Sequence, residues 1–364
     1  MNIRELFRGD IERPIETVIH VDLSDEAIVA HEIEEYVVTE NIREHLEELA
    51  DVYGDTASNP SESTNVWVSG FFGSGKSSFA KAVGYALADP VIEGRTATDR
   101  LLARANSHKL EALLNTAHTL APTVAVFLDL ASGRDMLREG ESLVLPVYRG
   151  LLKRLGYSSN ELLAELEITL EAEGRLQAFE TAVLEATDGR PWAHVRDVAL
   201  AKNYASRALH LIDAANFPSA DSWAKAAAAP NIDHNWLANR ALELLGRRGD
   251  GATRLVFVVD EVGQYVARSI QRMFDLQGLA EAFQKKRGPL WLVVTSQERL
   301  SDVVDSLESR QVEYARVQDR FPLRVDLLPS DIHEVTSRRV LDKTEAGQSV
   351  TVQVLASWVP SQRR

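Results

Sequence analysis

Four residues at fixed spacing, Gly70, Gly75, Lys76 and Ser77, could do chemistry together. They lie in Gly70-Phe71-Phe72-Gly73-Ser74-Gly75-Lys76-Ser77-Ser78, which fits the phosphate-binding pattern G-x-x-x-x-G-K-[ST] at every fixed position. Glycines are needed because such a loop wraps closely around phosphate oxygens. A Cβ would block the turn and hold the N–H groups away from the anion. Lys76 has the reach for β- and γ-phosphates, and the Ser77 hydroxyl can ligate Mg²⁺. Gly70, Gly73, Ser74, Gly75, Lys76, Ser77 and Ser78 are therefore the expected nucleotide contacts.

A second acidic signal lies far downstream. The run Arg254 to Val259 is apolar and rich in β-branched residues, and it ends in Asp260-Glu261. At the tip of a strand, Asp260 can hold hydrated Mg²⁺ opposite Ser77. Glu261 can polarise a water for in-line attack on a γ-phosphate. A further apolar run, 289–295, ends in Thr295-Ser296-Gln297. Ser296 is the expected γ-phosphate sensor there. Arg316 and Arg320 precede a last apolar run at 321–327. An arginine at that point, with Arg320 preferred, can reach a neighbouring subunit's site and neutralise transition-state charge. Arg338 or Arg339 could reach phosphate from a later helix.

The elements that must position these groups follow from periodicity. Short strands are expected at 17–21, 65–69, 123–130, 254–261, 289–298 and 321–327. Helices are expected within 25–53, with Thr39 capping the second of two. Further helices are expected at 77–88, 96–118, 141–155, 269–285, 298–308 and 332–343. Glu32, Glu34 and Glu35 read as a solvated face. Residues 54–64 read as a polar loop, and 158–250 as a long helical insertion in which His194, His210 and His234 are structural or surface residues. The order predicts an α/β protein: a P-loop NTPase parallel sheet with flanking helices, of the additional-strand, AAA+-like type. The organisation expected is an N-terminal extension (1–64), a core in two parts (65–157 and 251–328) around the insertion (158–250), and the start of a C-terminal lid (329–364).

Composition narrows the function classes. The chain has 364 residues, 45% of them apolar, enough for a sizeable core. It has no cysteine, which excludes disulfides and Cys-ligated zinc. Its N-terminus lacks a signal-peptide core and no membrane-spanning run is present, so a cytoplasmic location is expected. A net charge of −14 argues against a general nucleic-acid coat. A glutamate beside the metal aspartate, with no Asn-Lys-x-Asp guanine reader, favours an ATPase over a GTPase. The competing readings are a DNA-stimulated translocase or helicase motor and a nucleotide-gated scaffold with negligible turnover.

The motifs together resemble a known family. Arg13-Pro14-Ile15, Glu35-Tyr36-Val37-Val38-Thr39, the Gly70–Ser78 loop, the Val259–Val266 stretch around Asp260-Glu261, and Arg320-Phe321 look like the N-terminal ATPase region of the BrxC/PglY family of BREX phage-defence proteins. The resemblance implies an AAA+-like fold that binds ATP and Mg²⁺. It also implies a homo-oligomer acting with other BREX proteins, including a DNA methyltransferase. DNA would be met indirectly or through an oligomeric pore, and no membrane would be involved. Members of that family are much longer, so this sequence is expected to be the front part of a longer protein.

Overall fold

The computed structural model describes residues 3–7, 26–130, 141–266, 270–297, 317, 319–328, 334–335 and 343–358. The strand expected at 17–21, the helix at 298–308, most of the helix at 332–343, and Arg13, Arg316, Arg338 and Arg339 lie outside these residues.

Two helices, α1 (Glu26–Glu35) and α2 (Glu40–Ser58), precede strand β1 (Asn65–Ser69). Thr39 caps α2 as expected, its Oγ1 accepting the Ile42 N–H at 3.2 Å. Helix α3 (Lys76–Ala88) follows the glycine loop, and β2 (Val91–Ile92) and β3 (Arg95–Thr96) form a small antiparallel ribbon. The helical stretch expected at 96–118 is two helices, α4 (Ala97–Ala105) and α5 (His108–Leu120), broken where Asn106 turns left-handed. Strand β4 (Thr123–Asp129) and helix α6 (Val144–Arg154) come next. A helical tract then runs through α7 (Glu161–Ala172), α8 (Leu176–Ala186), α9 (Trp192–Val195), α10 (Ala201–Ile212), α11 (Ser222–Ala226) and α12 (His234–Arg248). The chain returns to the sheet with β5 (Arg254–Asp260), α13 (Val262–Val266), α14 (Ile270–Gln284), β6 (Leu290–Ser296) and β7 (Leu323–Asp326). A final helix, Glu345–Trp358, is tied to the N-terminal turn Ile3–Leu6 by the Thr344 N–H, which donates to Leu6 O at 2.9 Å.

Five strands form one sheet in the order β4-β5-β6-β1-β7, with every neighbouring pair parallel. Both faces are covered, so the strands are near-continuous apolar runs rather than alternating ones. Val66, Val68, Val256, Val258, Trp291 and Val293 face the layer of α1 to α5. Trp67, Leu255, Phe257, Val259, Leu292 and Val294 face α6, α12, α13 and α14. The strands end in register at their carboxyl edge: Asp129 lies opposite Asp260, and Ser69 lies between Ser296 and Asp326. In open parallel sheets, ligands bind outside this edge.

The tract 158–250 is shared between two cores. Leu163, Leu166 and Leu170 of α7 join Phe179, Trp192 and Leu209 in a separate helical cluster. Ala164 and Ile168 of the same helix, and Leu237, Ala241 and Leu244 of α12, belong to the core under the sheet. Ion pairs lash the two together, Arg149–Glu161 at 2.6 Å and Arg248–Glu171 at 2.7 Å among them.

The acidic stretch of α1 is solvated only in part: Glu34 is exposed, while Glu32 and Glu35 are half-buried. Glu32 accepts two hydrogen bonds from the buried Lys81 of α3, at 3.1 and 3.0 Å, and Glu34 pairs with the buried Arg100 of α4. Glu32 flanks the buried stripe of Val29 and Ile33, which packs in the same core as α3, so its carboxylate reaches Lys81 at the edge of that contact.

His234 is structural, as expected. Its Nε2 donates to Asp275 Oδ1 at 2.8 Å. Asp275 also accepts from Ser142 Oγ (2.7 Å), the Leu143 N–H (2.7 Å) and Tyr265 OH (2.5 Å). Burial works to raise the Asp275 pKa, but the donors from His234, Ser142, Tyr265 and Leu143 outweigh it and hold the carboxyl down to about 2. A folded-state pKa below the ordinary 3.8 favours the folded state wherever the carboxyl is ionised. This contribution, about 2 kcal/mol, is fully present above the ordinary value and is lost as pH falls through the folded value. Asp275→Asn is expected to lower stability by about 2–3 kcal/mol near neutral pH, because an amide cannot accept from four donors. Urea unfolding of both proteins between pH 2 and 7 checks this; the difference should shrink toward the acid end.

Candidate functional site

The loop between β1 and α3 has the backbone its glycines foretell. Gly73 and Gly75 have φ of +80° and +85°, left-handed values that residues with a Cβ rarely adopt. Nothing lies within 4 Å of the place a Cβ would take at either glycine, so the side of the loop they line is open. At Gly70 a Cβ would strike Ser74 Oγ. The Ser74 N–H donates to Phe71 O at 3.1 Å, and the Gly70 N–H to Ser296 O at 3.3 Å. The first N–H groups of α3 have no preceding helical turn to donate to, as at any helix N-terminus. Ser74 is buried, and its Oγ has no hydrogen-bond partner among the described residues. Ser77 and Ser78 are half-buried in the first turn of α3.

Lys76 is buried and its Nζ lies 3.2 Å from Glu261 Oε1. The structure thus brings together two residues 185 positions apart in the chain, each singled out by its own motif. Glu261 follows the last residue of β5 and has φ of +58°. A non-glycine residue in this region costs about 1–3 kcal/mol and persists only where the surroundings over-determine it. Here its N–H donates to Thr295 Oγ1 at 2.9 Å and to Asp260 Oδ1 at 3.1 Å, and Gln264 Nε2 donates to Glu261 Oε2 at 3.0 Å. Thr295 Oγ1 in turn donates to Asp260 Oδ1. Among the described residues, Asp260 Oδ2 makes no hydrogen bond, which leaves one oxygen of that carboxylate for a metal-bound water.

Strand alternation decides which polar tips meet the loop. Val256 and Val258 face the α3 layer, so Asp260 does too; Trp291 and Val293 put Thr295 on the same face. Ser296, the expected sensor, follows Leu292 and Val294 to the opposite face. It is fully buried there, and a Cβ on Gly263 of α13 would strike its Oγ. The side chain that faces α3 is that of its neighbour, Thr295. Asp129, opposite Asp260, is the other residue the sequence reading missed. Counting back by twos from Phe127, which packs in the α3 layer, would have found it. Asp260 and Asp129 both act on Lys81 of α3: burial lowers the lysine's pKa, and Glu32, Asp260 and Asp129 work against it.

Arg320 is not part of its own chain's site. Its carbonyl accepts from Asn65 Nδ2 at 2.9 Å, and Asn65 opens β1 at the amino edge of the sheet. Arg320 is therefore a strand length from the loop, roughly 17 Å for five residues. Its Nη2 lies 3.4 Å from Glu281 Oε2, and its buried Nε has no partner among the described residues.

No group of three or more His, Cys, Asp or Glu suited to a metal ion occurs among the described residues. None of the described helices is long and apolar enough to cross a membrane. Compared with models of known protein families, the chain matches none.

Proposed function

We propose that this α/β protein is an ATP-binding and ATP-hydrolysing P-loop protein of the AAA+-like, additional-strand type, working within a BREX-type phage-defence assembly. One observation carries the ATPase reading: Lys76, at the end of a loop with two left-handed glycines, meets Glu261 at 3.2 Å beside Asp260. The strand order supports it, since β6 stands between β1 and the acidic-tipped β5.

The residues present fit ATP and Mg²⁺. Among the described residues, the glycine side of the loop is open, Ser74 Oγ is buried without a partner, and Asp260 keeps one oxygen free of hydrogen bonds. Loop N–H groups and Lys76 hold the phosphates, with Ser74 and Ser78 beside them. Ser77 and Asp260 hold Mg²⁺, which when bound neutralises phosphate charge. Glu261 takes the proton of the attacking water. In the protein without nucleotide its carboxylate rests on Lys76, so phosphates drawing on Lys76 free the base. Arg320 serves the site of a second copy in a homo-oligomer. The BREX assignment rests on the sequence resemblance alone, and with it the partners: other BREX proteins including a DNA methyltransferase, with DNA reached indirectly or through a pore.

The test is a titration of the purified chain with ATP, with and without Mg²⁺, followed by phosphate release and by particle mass in ATP and in ADP. Mg²⁺-dependent binding, phosphate release and a heavier particle in ATP are expected. No binding of ATP would overturn the reading. A complex between the chain and a BREX DNA methyltransferase, detected by co-elution, tests the partner assignment separately.

A further inference from the structure

The hydroxyl of Thr295 touches both acidic residues of the site at once. Its Oγ1 donates to Asp260 Oδ1 and accepts the Glu261 N–H at 2.9 Å. The direction is fixed by chemistry: an ionised carboxylate can only accept, so the hydroxyl proton points to Asp260 and a lone pair is left for the amide. Glu261 at φ +58° has no glycine to make that backbone easy, and the Thr295 and Asp260 oxygens are the two acceptors of its N–H. Thr295 is fully buried in the middle of the sheet, opposite Val68 of β1 in register, so it is held by the strand that feeds the glycine loop.

We infer that Thr295 is the positioning residue of the reaction. It keeps Asp260 turned with Oδ2 outward and keeps the Glu261 peptide in the left-handed turn that brings its carboxylate to Lys76. The inference rests on the ATPase reading and adds to it the group that aligns metal ligand and base. In this role Thr295 acts through its two acidic neighbours. The same bond links the loop strand to the acids, because β1 pairs with β6 along the whole of its length. A base displaced by about 1 Å loses on the order of 100-fold in rate, while ground-state phosphate contacts stay with Lys76 and the loop. The expected signature is therefore a kcat effect with little change in ATP affinity.

Three variants test it in single-turnover hydrolysis alongside equilibrium ATP binding: Thr295→Val, which keeps shape and removes the hydroxyl; Thr295→Ser, which keeps the hydroxyl; and Glu261→Gln. Thr295→Val is expected to lose about 10–100-fold in rate with its Kd for ATP within about threefold of the parent. Thr295→Ser is expected to stay within about threefold of the parent in both. Three outcomes overturn the inference: Thr295→Val at parental rate while Glu261→Gln is inactive, a rate loss in Thr295→Ser as deep as in Thr295→Val, or a matching loss of ATP affinity. If Thr295→Val does not fold, the serine variant still decides, because it must retain the parental rate. Parental hydrolysis by Glu261→Gln is a different failure: it removes the assignment of the base itself.

Discussion

Lys76→Ala is expected to abolish measurable ATP binding, with a loss of at least about 100-fold in affinity. A charge-assisted hydrogen bond from an ammonium to a phosphate contributes about 1.5–3 kcal/mol. Lys76 is buried at the start of α3, where solvent screens it little, so the upper end of that range applies. The substitution also leaves Glu261 without its cation, adding a negative charge where phosphates must sit. Both effects weaken binding. The fold should survive, because the Glu261 side chain is 15% exposed and Gln264 still donates to it. Calorimetric titration with ATP, beside a thermal melt, is the measurement. An affinity equal to the parent's would mean that the glycine loop does not cradle phosphate.

Glu261→Gln separates binding from chemistry. General-base catalysis contributes roughly 10²–10⁴ in rate, and an amide cannot take the proton. Turnover should therefore fall by about that factor. Binding should not fall with it. The parent's carboxylate competes with phosphate for Lys76, and a neutral amide competes less. The Kd for ATP is expected to stay equal or to tighten a few-fold. Opposite movements of kcat and Kd from one substitution are a sharper result than the loss of either alone. Turnover at the parental rate would remove Glu261 from the reaction. The same variant should accumulate any ATP-dependent oligomer, which gives the particle-mass experiment its best chance.

Much of this site was legible before any coordinates. The glycine loop needs its residues for local reasons: a left-handed backbone at Gly73 and Gly75 and a lysine at the helix start. Local reasons are what a sequence displays. The strands could be read because parallel strands covered on both faces are plain apolar runs, as 254–259 and 290–294 are. That same uniformity hid the orientation of their tips. In a half-solvated strand, polar and apolar residues alternate and declare which face is which. Here Thr295 and Ser296 look alike, and only the packing of Val293 against the α3 layer and Val294 against the far layer tells them apart. Glu32 was read as a solvent residue because its partner, Lys81, is 49 positions away. The place of Arg320 was likewise out of reach, since it follows from a bond to Asn65, 255 positions earlier. For α12 only a place within the long helical tract 158–250 could be read. Which core it entered depended on α6 and α14, elements on either side of a long tract.

The order of the strands also has a consequence in time. β1 is synthesised well before its two neighbours in the sheet, β6 and β7. About 220 residues separate Ser69 from Leu290. At synthesis rates of about 5–20 residues per second, β1 waits roughly 10–45 s for its first partner. Throughout that wait the strand's backbone groups lack the strands that will flank them, a state open to chaperones and to aggregation. Helices α2 to α5 can gather around it in the interval, but the sheet cannot close over it. The glycine loop is thus among the first parts of the site to be synthesised and among the last to be completed. A nascent chain halted anywhere before Leu290 carries the whole phosphate motif without the strand beside it that bears Thr295.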